Sequence, residues 1–277
     1  MMHTYKYPVV LTVAGFDGSG GAGIQADINT ISALGCYATS VLTALPVQNT
    51  TGVKAVHLIP AAVVKQQLET VLEDIRPDAI KIGMIPDEAV LMVICNVLRA
   101  YADIPIIYDP VMVASSGDHL MQKETISAMI RELFPLIALV TPNLDEAAVL
   151  TNTKVNSISE MEIAGRRITD MGCPSVLLKG GHLPSGQLTS VLFNADQSRQ
   201  LFHTERIDTD NTHGTGCTLS AAIAAFIARG EGLNFAVESG IAYVHQAILH
   251  GKDVHTGKGR GPLNHFFGPL KLIKKKV

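Results

Sequence analysis

Short β-branched runs alternate with helix-period stretches along almost the whole 277-residue chain, and this alternation narrows the fold more than any other feature. Strand-like runs fall at residues 9–14, 39–45, 79–82, 104–108, 136–140 and 175–178, and helical patterns at 61–72, 88–101, 125–133 and 160–171. Ile24, Ile28 and Ile31 share one helical face, and Gly35 closes that helix. Alternation of this kind predicts a parallel sheet covered by helices on both faces. Residues 188–194 and 199–207 break the rhythm: two strand-like runs flank residues 195–198 and predict a hairpin late in the sheet. Helices over 216–229 and 233–250 follow. With no long linker, repeat or low-complexity tract, the expectation is one domain of three layers over residues 1–277.

The composition supports a large core: 47% of residues are hydrophobic and only 17% charged. Lys and Arg total 22 against 25 Asp and Glu, a balance that argues against nucleic acid or a membrane surface as partner. No apolar run reaches transmembrane length and the first residues lack the shape of a signal peptide, so a cytoplasmic protein is expected. Cys36, Cys95, Cys173 and Cys217 form no C-x-x-C pair, and the first three read as buried small hydrophobes. The basic tail over 271–277 reads as a solvated, frayed terminus.

Chemistry concentrates at Asn211-Thr212-His213-Gly214-Thr215-Gly216-Cys217-Thr218, immediately before an apolar helical run. Gly214 and Gly216 let backbone N–H groups approach a ligand, and the helix start adds unpaired donors and a positive dipole end. Cys217 lies in that first turn, where a thiol is expected to become more acidic. An anion site beside an activatable base points to phosphoryl transfer.

A second glycine-rich turn, Gly15-Phe16-Asp17-Gly18-Ser19-Gly20-Gly21-Ala22-Gly23, follows the first strand. Its G-x-G-x-x-G pattern suggests a dinucleotide fold, but that fold wants an acidic residue after the second strand. None stands between Asp27 and Glu69. A P-loop fails too, since Ile24-Gln25 stands where Lys-Ser/Thr is needed. Two readings stay open: a flexible turn, or a backbone collar around a small ligand supported by Asp17 or Asp27. Gln48 is expected beyond a strand's carboxyl end, either solvated or pairing an aminopyrimidine through its amide. Asn143 and Glu146 have capping-box spacing; with Asp109 they would equally suit a hydrated Mg²⁺. Lys179 closes a strand, either exposed or neutralising a phosphate. Met84 and Val111 are pocket wall or core. His182 and His213 lack metal-ligand spacing and read as structural.

Taken together, Gly20–Asp27, Gln48-Asn49-Thr50, Lys81-Ile82-Gly83-Met84, Asp109-Pro110-Val111-Met112, Thr141-Pro142-Asn143, Lys179-Gly180-Gly181-His182, the 211–218 segment and Gly257-Lys258-Gly259-Arg260-Gly261-Pro262 resemble the ribokinase-like superfamily. Within it they are most similar to the bifunctional hydroxymethylpyrimidine/phosphomethylpyrimidine kinases of thiamine biosynthesis. The resemblance implies an α/β/α sandwich without a large lid, a homodimer, and the use of ATP and Mg²⁺. It implies that Gly15, Ala22, Asp27, Gln48, Met84 and Val111 line the aminopyrimidine site, and that Gly214, Thr215 and Gly216 form an anion hole beside the base Cys217. Lys179, Thr141, Asn143 and Thr212 would serve the nucleotide, and Asp109 and Glu146 the metal. Pyridoxal kinase is the neighbouring activity. Phe16, Gly18 and Pro46-Val47 depart from the family's usual residues and bear on the fine shape of the substrate pocket.

Overall fold

The computed structural model describes residues 4–112, 121–180 and 187–276. In chain order the strands are β1 (Tyr5–Lys6), β2 (Val9–Ala14), β3 (Tyr37–Leu42), β4 (Ala44–Asn49), β5 (Gly52–Leu58), β6 (Ala79–Ile82), β7 (Ile106–Tyr108), β8 (Leu139–Val140), β9 (Val176–Gly180), β10 (Gln187–Phe193), β11 (Arg199–Glu205) and β12 (Lys275–Lys276). The helices are α1 (Gly23–Ala33), α2 (Ala61–Asp74), α3 (Glu88–Leu98), α4 (Lys123–Glu132), α5 (Leu144–Thr151), α6 (Ile158–Asp170), α7 (Thr215–Ala228) and α8 (Leu233–Leu249).

Eight strands form the central sheet in the order β11-β10-β9-β8-β7-β6-β2-β3. Pairing is parallel from β3 to β9, and β10 and β11 add the expected antiparallel hairpin. Side chains alternate across each strand. Leu11, Val13, Ile80, Ile82, Ile106, Tyr108, Val176 and Leu178 pack under α2–α6. Val10, Ala79, Ile107 and Leu177 pack under α1, α7 and α8. The sandwich is therefore the three-layer α/β/α arrangement that the alternating pattern predicts. The same period of two puts Thr12, Lys81 and Lys179 on the α1/α7 face, near the strands' carboxyl ends.

Two expectations change. The strand expected over 39–45 ends at Leu42; after buried Thr43 the chain starts β4, which folds back on β5 as a separate ribbon. The tail is not frayed. Leu270 and Ile273 donate backbone bonds to Ala33 and Gly35 (2.8 and 2.9 Å), β12 pairs with β1, and Lys275 Nζ donates to the Ala228 carbonyl at 2.8 Å. Lys271–Lys276 thus closes the end of α1 rather than hanging in solvent. No helix of the described residues is long and apolar enough to cross a membrane.

Candidate active site

The first turn of α7 carries a set of unpaired donors. Gly214 adopts φ 84°, a left-handed conformation that suits glycine, and a Cβ there would collide with the Gly21 carbonyl oxygen. No side chain caps the helix and no acidic residue enters its first turn. Among the described residues, the amides of Gly214, Gly216 and Cys217 have no protein acceptor, whereas Thr215 bonds its amide and hydroxyl to the Thr212 carbonyl (3.3 and 2.7 Å). The three open amides sit at the positive end of a 14-residue helix, an arrangement suited to an anion. Thr212 is exposed beside them.

Below Gly216 lies a buried ion pair. A Cβ on Gly216 would stand 3.1 Å from Asp109 Oδ2 and 3.3 Å from Lys179 Nζ. Lys179 Nζ donates to Asp109 Oδ1 at 2.9 Å, and Thr141 Oγ1 donates to the same oxygen at 3.0 Å. Burial pushes the Asp109 carboxyl up, but the Lys179 and Lys81 charges and the hydrogen bonds from Lys179 and Thr141 outweigh it and hold it below the usual carboxylate range. Lys179 stays protonated: burial disfavours its charge, and Asp109 and Glu146 more than restore it. Thr141 is fully buried, so it orients Asp109 instead of reaching the nucleotide expected of it.

Asn143 and Glu146 form the capping box that their spacing predicts. Asn143 Oδ1 accepts from the Glu146 amide at 2.8 Å, and Glu146 Oε2 accepts from the Asn143 amide at 2.7 Å. Burial pushes the Glu146 carboxyl up to about 7; Lys179 opposes the shift and Asp109 adds to it. Two buried carboxylates that repel each other, with Asp109 Oδ2 lacking a donor among the described residues, are a donor set with room for a hard cation that keeps most of its own waters.

The first glycine turn is organised differently. Asp17, itself buried, is its hub. Its oxygens accept from the Ser19 amide at 2.9 Å, the Ala22 amide at 2.7 Å and the Ser19 hydroxyl, and lie 2.8 Å from His213 Nε2. Burial raises the Asp17 carboxyl, but hydrogen bonds from His213, Ser19 and Gln48 hold it well below the usual range. His213, read as structural, thus ties this turn to the entry of α7, and Gln48 faces the same carboxylate. A Cβ on Gly15 would lie 3.2 Å from Met84 Sδ, and one on Gly18 would lie 3.4 Å from the Phe16 ring and 3.6 Å from the Gln48 carbonyl. These contacts make neighbours of Gly15 and Met84, and of Gly18, Phe16 and Gln48. Ala22 and Val111 are half-buried. Pro46 is buried and Val47 exposed on β4, and a register shift falls between Val47 and Gln48. Gly181 and His182 lie outside the described residues.

Two further site expectations need correction. Asp27 is not placed to line a substrate site: it is fully buried, its Oδ2 2.8 Å from Lys81 Nζ and 2.5 Å from Thr12 Oγ1. The Cys217 thiol is half-buried and not acidified. Burial pushes it up to about 11, with Asp27 and Asp109 adding and Lys81 and the Gly23 backbone opposing. The helix start alone does not overcome desolvation. Lys81 carries no role in the reading of the motifs, although a lone Lys inside the otherwise apolar strand Ala79-Ile80-Lys81-Ile82 is the signal for one.

Fold and site define a ribokinase-like kinase. The chain belongs to the phosphomethylpyrimidine kinase family, whose model matches residues 17–264. A hydroxymethylpyrimidine/phosphomethylpyrimidine kinase of Rhizobium meliloti is 45% identical over 93% of this chain and 97% of its own length. A crystal structure of phosphomethylpyrimidine kinase from Clostridium difficile 630 superposes with a TM-score of 0.77 at 38% identity, covering 87% of this chain and 99% of that one. The pyridoxal kinase of Staphylococcus aureus in complex with ADP gives a TM-score of 0.86 at 34% identity, covering 98% of this chain and 100% of that one. The chain spans only 48% of a probable thiamine biosynthetic bifunctional enzyme of rice, although it matches that enzyme at 43% identity.

Proposed function

We propose that this kinase transfers the γ-phosphoryl of ATP to the hydroxymethyl oxygen of 4-amino-5-hydroxymethyl-2-methylpyrimidine, and then phosphorylates the monophosphate to the diphosphate. The observation that carries this reading is the open first turn of α7 stacked on the Asp109–Lys179 pair and tied through His213 to Asp17 of the first glycine turn. Phosphoryl transfer asks mainly for positioning and charge neutralisation. The amides of Gly214, Gly216 and Cys217 hold the developing charge on the transferred group, and Lys179 adds a point charge beneath it. Cys217 accepts the alcohol proton as the new P–O bond forms and ADP leaves. Thr212 and Asn143 flank the nucleotide, and Thr141 keeps Asp109 oriented. Asp109 and Glu146 would hold Mg²⁺, which when bound neutralises phosphate charge.

Gln48 supports the aminopyrimidine. An Asp17 carboxylate only accepts, so Gln48 beside it would turn its amide nitrogen to Asp17 and its amide oxygen to an exocyclic amine. Pyridoxal has a hydroxymethyl group but no such amine. Pyridoxal kinase activity is the alternative, favoured by the likeness to the S. aureus enzyme at 34% identity. A homodimer is supported by the β4–β5 ribbon, where Leu45, Val47, Val53, Val56 and Leu58 are exposed. We also read residues 1–277 as one domain, because one sheet takes strands from most of the chain, and as cytoplasmic, because all four cysteines are free.

ADP release measured with the hydroxymethylpyrimidine, its monophosphate, pyridoxal and ribose tests the proposal. The pyrimidine and its monophosphate are expected to turn over, ribose not at all. A preference for pyridoxal selects the alternative.

A further inference from the structure

Lys81 sits in the middle of the sheet with Asp27 as its direct partner, both side chains at zero exposure. Burying two charges carries a large desolvation penalty, and well-packed apolar residues often do as well there or better. Stability is therefore a weak reason for the pair. Asp27 Oδ1 moreover has no hydrogen-bond partner among the described residues.

The position of the pair suggests another reason. On α1, Gly23 and Asp27 lie one turn apart on the same face. The Cys217 thiol meets the Gly23 backbone, and Lys81 reaches Asp27 from β6. The Lys81 ammonium lies against Gly83, where a Cβ would come within 2.8 Å of Nζ. The entry of α7 rests on the start of α1, where a Cβ on Gly214 would stand 3.1 Å from the Ala22 Cα, and α7 packs across β6, so the turn that carries Cys217 adjoins the elements of Asp27 and Lys81, with Asp109 and Lys179 under Gly216; all four charges act on the thiol.

We propose that Lys81 and Asp27 are positioning residues acting through Cys217: the Lys81 ammonium is the counter-ion of the Cys217 thiolate, and Asp27 is the opposing charge that limits it. The inference rests on the reading of Cys217 as the base. In that step the alcohol O–H breaks, its proton goes to Sγ, the oxygen bonds phosphorus, and the bond to the ADP oxygen breaks. Lys81 and Cys217 favour each other's charged forms, as this arrangement requires.

The test is the pH dependence of Cys217 alkylation by iodoacetamide in the ligand-free protein with chelator present, followed by mass spectrometry of the peptide that carries it. Cys36, Cys95 and Cys173 are buried, which keeps background labelling low. Lys81→Met is expected to slow alkylation at neutral pH about tenfold, the equivalent of one pKa unit. Asp27→Asn is expected to speed it, and the double variant to return near wild type. Opposite signs cannot come from a loosened fold, which would speed both. Changes of the same sign, or none, overturn the proposal. Should Lys81→Met fail to fold, Asp27→Asn still decides, because slower or unchanged alkylation contradicts the proposed opposition. The wild-type substrate panel stands apart: inactivity on the pyrimidine would sink the kinase assignment without touching opposite alkylation shifts, and the reverse.

Discussion

The two glycine-rich turns look alike in sequence and behave as opposites in the fold. Both follow strand ends, both open helices, and both use left-handed glycines: Gly20 and Gly23 at φ 79° and 55°, Gly214 at 84°. In the first turn the protein takes several of its own donors. Asp17 takes the amides of Ser19 and Ala22, the Asp17 carbonyl takes that of Gly20 at 3.0 Å, and the Gly15 carbonyl takes that of Ile24 at 2.9 Å. In the second turn the amides of Gly214, Gly216 and Cys217 stay open, and a Lys lies beneath them. A glycine pattern fixes how closely the backbone can approach a ligand; the nearest carboxylate decides which donors are left to offer. The first turn is a wall and the second a cradle, and His213 with Asp17 joins them.

The largest expected effect is at the cradle. Cys217→Ala should lower kcat about 10²–10⁴-fold with KM for ATP little changed, measured by steady-state ADP release; an undiminished kcat would leave Cys217 a packing residue. Gly214→Ala forces a Cβ into the Gly21 carbonyl and should cost about 10²–10³ in kcat by displacing the donors. The buried stem of α7 should show in acid stability. Burial holds His265, 3.1 Å from Thr218 Oγ1, down to about 4. The unfolded imidazole takes up its proton at about 6.5, so stability is intact above that pH and is lost as pH falls toward the folded value. Wild type should lose about 2 kcal/mol more than His265→Gln between about pH 7 and about pH 5 in denaturant titrations.

Effects at the wall should be smaller and selective. Gln48→Met should cost the aminopyrimidine about tenfold in kcat/KM while sparing pyridoxal, since only the amine loses a partner; equal losses would remove Gln48 from substrate discrimination. Gly20 has nothing within 4 Å of a built Cβ, so Gly20→Ala should cost only about 1 kcal/mol of stability, from its left-handed backbone, with kcat retained. A large kcat loss there would erase the contrast between the turns.

Much of this was legible from residues alone. That β2, β6, β7, β8 and β9 run parallel follows from alternating apolar runs, and the Asn143–Glu146 cap from its spacing. The β4–β5 ribbon was not legible. Its turn is Thr50-Thr51, without the Asn-Gly chemistry that marks a hairpin. It is braced from afar: Gly259 donates to Thr50 Oγ1 at 3.2 Å and Arg260 to the Thr50 carbonyl at 3.1 Å. Contacts between residues some 200 positions apart leave no local pattern. Asp27 was misplaced for a related reason. An acidic residue just inside a helix reads as a ligand contact until the strand beside it is known to supply Lys81. The acidity of Cys217 was overestimated because a helix start is visible in sequence, whereas burial among Asp27 and Asp109 is not.

The division between wall and cradle is tested most directly by following backbone amide resonances while a non-hydrolysable ATP analogue and Mg²⁺ are added. The account predicts the largest shifts at Gly214, Gly216 and Cys217, with Ser19, Gly20 and Ala22 little changed. Dominant shifts in the first turn, with Gly214–Cys217 silent, would contradict it.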